Sequence, residues 1–122
     1  MSFPPYFFVI LAQAGISVIK FLKMKRDYHY YVYILANRAN KVLYIGMTNS
    51  LFKRAFQHKL KENPKSFTAR YNINKLVYFE SYQFVGDAIT REKQLKKWNR
   101  SWKERLIKEN NQNWRDLFED ML

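Results

Sequence analysis

Tyr33, Tyr44, Arg54, His58 and Glu92 are the residues whose types and spacing could act together on a phosphate group. A phenol hydroxyl gives or accepts a proton, and a guanidinium offers a fork of N–H donors that matches phosphate oxygens. An imidazole changes charge near neutrality, and a carboxylate ligates a hard divalent cation. Each has a plainer role as well. Facing tyrosines stabilise a hairpin, an exposed Arg/His pair is ordinary surface, and a glutamate among lysines forms an ion pair. The chemistry therefore depends on the elements that bring the five together.

Tyr30 to Ala36 is aromatic and β-branched, which predicts a strand, and Asn37–Asn40 has turn chemistry. A second strand is expected from Val42 to Gly46, with Gly46 ending it and letting the chain turn. A four-residue loop pairs Ala36 with Lys41 and so sets Tyr33 opposite Tyr44, on one face with Cβ atoms about 4.5–5.5 Å apart. Asn49 or Ser50 can cap a helix running to about Lys61, with Leu51, Phe52, Ala55, Phe56 and Leu60 as its buried stripe. Arg54 and His58 then share another face, one helical turn apart. Asn63-Pro64 breaks this helix, and residues 65–73 read as a polar loop carrying Phe67, Arg70 and Tyr71.

Lys75 to Tyr82 predicts a third strand. Asp87 is the expected N-cap of a helix through about Trp98. Ser101 and Glu104 form a capping-box pair for a helix from Trp102 to about Asn110. Asn113 caps a last helix with Trp114, Leu117, Phe118 and Met121 on its apolar side. The order β-β-α-β-α-α-α describes an α+β domain, a three-stranded antiparallel sheet flanked by helices.

On the helix after the third strand, at about 100° per residue from Ala88, Ile89 falls near 100°, Leu95 near 340° and Glu92 near 40°. Glu92 is thus expected inside the apolar sector, where a carboxylate is costly unless paired or metal-bound. Arg91, Lys93 and Lys97 point elsewhere and are available to a polyanion.

The 122 residues suit one domain, and 22 Lys and Arg against 10 Asp and Glu give a formal charge of +12. A field of that sign draws in polyanions, of which nucleic acid is the commonest. No cysteine is present, which excludes disulfides and thiolate metal sites, and two histidines are too few for a His-based zinc site. The first 23 residues stand apart: their apolar runs are interrupted by Gly15 and Lys20, too short and broken for a membrane span beyond a weak anchor. No basic segment precedes the first apolar run as in a secretory signal, so a cytoplasmic location is expected. Met24 is the expected start. The domain reading is an extension over 1–27, a catalytic domain over 28–110 and a packing C-terminal helix over 111–122.

Tyr31-Val32-Tyr33, Tyr44-Ile45-Gly46, Arg54, His58 and Glu92 occur in the order and spacing that resembles the GIY-YIG nuclease superfamily. The likeness runs from about Tyr28 to the end of the second capped helix and is nearest to small single-domain bacterial members. Those members share runs similar to Phe67-Thr68, Tyr71-Asn72, Leu76 to Glu80, and Asn113 to Leu117. It extends to the N-terminal domain of the bacterial excinuclease incision subunit, which makes DNA repair an expected setting.

The resemblance implies an endonuclease that hydrolyses phosphodiester bonds with one Mg²⁺ or Mn²⁺ held by Glu92. By the same resemblance Tyr33 lies beside the attacking water, Tyr44 orients water or phosphate, Arg54 stabilises the growing charge, and His58 takes part in proton transfer. Gly46 leaves room for the backbone. Nucleic acid contacts are expected at Gly46, Lys53, Arg70, Lys93, Lys96, Lys97, Arg100 and Lys103, with DNA favoured over RNA as partner. The sequence departs from the pattern at Tyr31, where the motif has glycine, and at Met47, where the excinuclease branch has lysine. Two alternatives stand beside this reading: a binding module of the same fold that cuts slowly or not at all, and an interaction protein that recruits another enzyme.

Overall fold

The computed structural model describes residues 29–122. The expectations for the N-terminal extension and for Met24 lie outside the described residues. The elements are β1 (Tyr30–Ala36), β2 (Leu43–Thr48), α1 (Leu51–Leu60), α2 (Phe67–Arg70), β3 (Lys75–Tyr82), α3 (Val85–Lys97), α4 (Arg100–Asn110) and a closing 3-10 turn (Leu117–Met121). Among the described residues no helix is long and apolar enough to cross a membrane.

The three strands form one antiparallel sheet in the order β2-β1-β3. Central β1 is buried on both sides because its side chains alternate between two apolar clusters. Tyr33 and Leu35 pack with Leu51, Ala55, Phe56, Leu60 and Phe118, so α1 and the 3-10 turn cover one face. Val32, Ile34 and Ala36 pack with Ala88, Leu95 and Ile107, so α3 and α4 cover the other. Between β1 and β3 the register steps from Ile34↔Tyr78 to Leu35↔Leu76, leaving Val77 as a bulge. The buried Asn111 amide donates to the Val77 carbonyl at 3.0 Å, satisfying the group that the bulge exposes.

Several local expectations are corrected. Tyr33 faces Gly46, and Tyr44 faces Leu35, a register two residues away from the expected one. The cause is Asn37, whose Oδ1 accepts from the Lys41 and Val42 amides at 2.8 and 3.2 Å and ties the loop off later than a four-residue turn. Because the slip is an even number, both tyrosines keep the same face. Gly46 lies inside β2, which continues to Thr48, so it does not end the strand. Part of the expected polar loop is the short α2, which forms because Ser66 Oγ accepts from the Ala69 amide at 3.2 Å.

Capping also differs. Helix α3 starts at Val85, which places Asp87 inside it, and Asn99 rather than Ser101 caps α4 by accepting from the Trp102 amide at 3.0 Å. Ser50 precedes α1 without a side-chain cap bond. The helix expected after Asn113 begins only at Leu117, as a 3-10 helix, because Trp114 adopts a left-handed φ of 53° and Asn111 holds the Arg115 backbone at both its amide and its carbonyl. Asp116 instead opens the 3-10 turn by accepting from the Phe118 amide at 3.1 Å.

Candidate active site

The site is built on the face of the sheet covered by α1. Tyr33 is 2% exposed, and its ring lies directly over Gly46 of the neighbouring strand. A Cβ at position 46 would sit 2.4 Å from the Tyr33 hydroxyl, 2.5 Å from Cζ and 3.0 Å from Tyr44 Cε1. Glycine is therefore what admits the phenol, and the room it leaves is taken by Tyr33 itself. Tyr44, further along β2, brings its ring centroid to 6.3 Å from that of Tyr33. His58, in the last turn of α1, has its ring 5.9 Å from Tyr33 and 5.7 Å from Tyr44.

A hydrogen-bonded chain runs through His58. The Tyr33 hydroxyl is 3.2 Å from Nε2, Nδ1 is 3.1 Å from Thr68 Oγ1, and Thr68 Oγ1 is 3.2 Å from Ser66 Oγ. Burial pushes the Tyr33 phenol well above its ordinary range, reinforced by Tyr44 and Glu92 and opposed by Arg54. Burial and then the Arg54 charge press His58 down to about 4. At neutral pH Tyr33 thus keeps its proton and His58 is uncharged. The arrangement consistent with both is donation by the phenol to Nε2 and by Nδ1–H to Thr68, which fixes one tautomer.

Above this chain opens a groove of about 580 Å³, lined by Tyr44, Arg54, Gln57, His58, Lys61 and Phe67 among others. Arg54 is exposed and lies one helical turn before His58, as expected, with its Nη1 donating to Gln57 Oε1 at 3.4 Å. The structure therefore gathers Tyr44, Arg54 and His58 around one opening, with Tyr33 buried behind them and bonded to His58.

Glu92 is placed differently. It belongs to α3, whose buried Ala88 and Leu95 pack on the other face of the sheet, and it is not among the residues lining the groove. It is not turned into the core. Only Ala88 and Leu95 of α3 are buried, Ile89 is 39% exposed, and the Glu92 side chain is 23% exposed with Oε1 bonded to Lys96 Nζ at 3.1 Å. The apolar sector is narrower than the helical wheel implied. Its charge still contributes to the raised pKa of Tyr33.

Among the described residues no three His, Asp or Glu side chains form a cluster able to enclose a metal. A Mg²⁺ ion, which gives up water reluctantly, fits a lone carboxylate when waters and substrate oxygens complete its shell. The Lys96 contact is no obstacle, since an exposed i,i+4 pair contributes about 0.3–0.5 kcal/mol.

The other cations divide by location. Lys53 of α1 and exposed Arg70 of α2 lie on elements next to the groove. Lys93 and Lys97 are exposed on α3, and Lys103 stands on α4. Arg100 acts as a strut, donating to Glu104 at 2.9 Å and to the Lys41 and Asn40 carbonyls at 2.7 and 2.5 Å. Arg91 does not point away for a polyanion. It grips Glu80 with Nε and Nη2, both at 2.9 Å, and stacks 5.0 Å from the Trp98 ring. Of the two motif departures, Tyr31 packs edge-on against Phe79 at 6.3 Å, and Met47 packs into the cluster on the α3 side.

Sequence reasoning missed Thr68, Ser66, Gln57, Lys61 and Phe67. No periodicity marks them; the one signal was the Phe67-Thr68 run shared with small members of the resembled superfamily.

Residues 29–105 match the family model described as the GIY-YIG catalytic domain. A UPF0213 protein of Syntrophus aciditrophicus is 36% identical over 80 residues, covering 66% of this chain and 91% of that protein. A UPF0213 protein of Pediococcus pentosaceus is 36% identical over 81 residues, covering 66% and 83% respectively. The solution NMR structure of a UPF0213 protein from Bacillus halodurans is 23% identical, with a TM-score of 0.47 over 72% of this chain and 92% of that one.

Proposed function

The chain belongs to the GIY-YIG catalytic-domain family, and from that premise we propose that it is a metal-dependent endonuclease hydrolysing phosphodiester bonds of DNA. The observation that carries this reading is the Tyr33–His58–Thr68 chain beneath a groove that also presents Tyr44 and Arg54. Proteins of this family act on nucleic acid with divalent metal ions, and the formal charge of +12 suits a polyanionic substrate.

In the proposed reaction the scissile phosphate lies in the groove, where the Arg54 guanidinium offsets the negative charge that grows on the oxygens. Tyr44, at the groove surface, orients the attacking water. As the water oxygen bonds phosphorus and the bond from phosphorus to the leaving oxygen breaks, the water proton passes to the Tyr33 oxygen, the Tyr33 proton passes to His58 Nε2, and solvent protonates the leaving oxygen. The transfer is concerted, because burial makes a free phenolate at position 33 too costly. Thr68 holds the His58 ring with Nε2 as acceptor. Glu92 would hold one Mg²⁺ or Mn²⁺ ion, which supplies Lewis acidity and stabilises the departing oxygen. Lys53, Arg70, Lys93, Lys97 and Lys103 would add phosphate contacts outside the centre, and the setting would be cytoplasmic.

The experiment is cleavage of labelled DNA with Mg²⁺ by the native chain and by Glu92→Gln, with Mg²⁺ binding followed by calorimetry. The expected result is cleavage by the native chain, with both cleavage and metal binding lost in the variant. Equal cleavage and equal metal affinity in the two proteins would overturn the assignment of Glu92.

A further inference from the structure

Phe67 and Tyr71 are large rings left half in water, 50% and 48% exposed. They stand one helical turn apart at α2, and their centroids are 4.8 Å from each other, so they present one aromatic surface. Phe67 also lines the groove beside Arg54 and His58. The Arg70 guanidinium lies 5.9 Å from the centre of the Tyr71 ring.

The base under these rings is fixed. Ser66 caps the turn, Thr68 and Ala69 are buried beneath it, and the Thr68 carbonyl accepts from the Ile73 amide at 2.8 Å. The rings are therefore held outward by the same residue that holds His58. Two aromatics kept in water give up the stabilisation of burial, and a pair one turn apart on a four-residue helix returns little of it.

We infer that Phe67 and Tyr71 form a stacking platform for an unpaired base of the substrate strand, and that the preferred substrate is single-stranded DNA. This rests on the nuclease reading of the groove. A base within an intact duplex is stacked on both faces and must be extruded before it meets a side chain, whereas a base in a single strand has a face to offer. Arg54, Lys61 and Arg70 lie at or beside the same opening and complement the phosphates on either side of such a base. Stacking tolerates every base, so the platform gives strand-type preference without sequence preference.

The test uses the full chain in EDTA, so that binding is read without cleavage, with single-stranded and duplex oligonucleotides carrying 2-aminopurine. The platform predicts quenching of the probe on the single strand. In Phe67→Ala/Tyr71→Ala, with the fold checked by circular dichroism, quenching disappears and single-strand affinity falls about 5- to 100-fold. Duplex affinity changes less than about twofold, a difference too small for a lost stacking partner. Phe67→Leu/Tyr71→Leu, which keeps apolar bulk without a planar face, behaves as the alanine pair does, and Phe67→Trp keeps the quenching. Unaltered quenching in the leucine pair, or an equal loss on single strand and duplex, overturns the platform. Quenching by the native chain with no cleavage in Mg²⁺ sinks the nuclease reading and leaves the platform standing. Cleavage without quenching does the reverse.

Discussion

Burial governs the chemistry at position 33. Arg54 pulls the tyrosine toward ionisation, but burial pushes it further the other way. In the proposed reaction a neutral His58 resolves this, its Nε2 taking the phenol proton as the water proton arrives. A pH profile follows. Since kcat/KM reports groups in the free enzyme, it should stay level from neutrality down to about pH 5 and fall only near the depressed His58 value of about 4. A fall centred near 6.5, the ordinary imidazole value, would remove His58 from the proton path.

Stability carries the same signature. His58 titrates lower when folded than when unfolded, so its contribution is complete above the unfolded value of about 6.5. It is lost progressively as the pH falls toward about 4, where the unfolded chain has bound a proton that the native one has not. Gly46 is the other residue-scale test. In Gly46→Ala the new methyl group meets the Tyr33 hydroxyl, so the ring must move off His58. Chemical denaturation should show a loss of about 1–3 kcal/mol, and cleavage should fall more steeply than stability alone accounts for. Full activity in that variant would show that the position of the ring is unimportant.

At the scale of elements, the strands were the most legible part of the sequence. The bounds of β1 and β3 follow from aromatic and β-branched runs that leave little choice. The hairpin register was not legible, because it turns on one side chain, Asn37, capturing two amides beyond a simple turn. Helix α2 was hidden in a polar stretch whose order comes from the Ser66 cap and from Thr68 reaching His58, contacts made only once the chain has folded. A helical wheel cannot say how wide the buried face of a helix will be, which is why Glu92 was expected inside the apolar sector of α3 and is found part-exposed beside Lys96.

The C-terminal segment shows what the short motif after α4 does for the fold. Asp116 accepts from the Leu76 and Phe118 amides, both at 3.1 Å, and pairs with Lys59, linking β3, α1 and the 3-10 turn. Its side chain is 18% exposed, so these contacts are partly shielded from water. Asp116→Ala should lower unfolding stability by about 2–3 kcal/mol, read by urea denaturation, because two backbone donors lose a charged acceptor. A change below about 0.5 kcal/mol, the range of ordinary surface substitutions, would show the clamp to be incidental.

For the whole molecule, the candidate residues come from elements packed on both faces of the sheet. Tyr33, Tyr44, Arg54 and His58 come from β1, β2 and α1, while Glu92 comes from α3, whose buried residues pack on the other face, and its charge acts on Tyr33. Family membership was readable from five residues in order, and Tyr44, Arg54 and His58 do meet at one groove, but the packing of α3 on the other face of the sheet was not readable. In the proposed reaction the Tyr33 hydroxyl is indispensable, and Tyr33→Phe removes it while keeping the buried ring. The deciding measurement is single-turnover cleavage of labelled DNA in Mg²⁺, with DNA binding measured alongside. The account predicts a loss of about 100-fold or more in rate at nearly unchanged affinity, as expected when a proton-transfer group is removed. Cleavage by the phenylalanine variant at the native rate would contradict it.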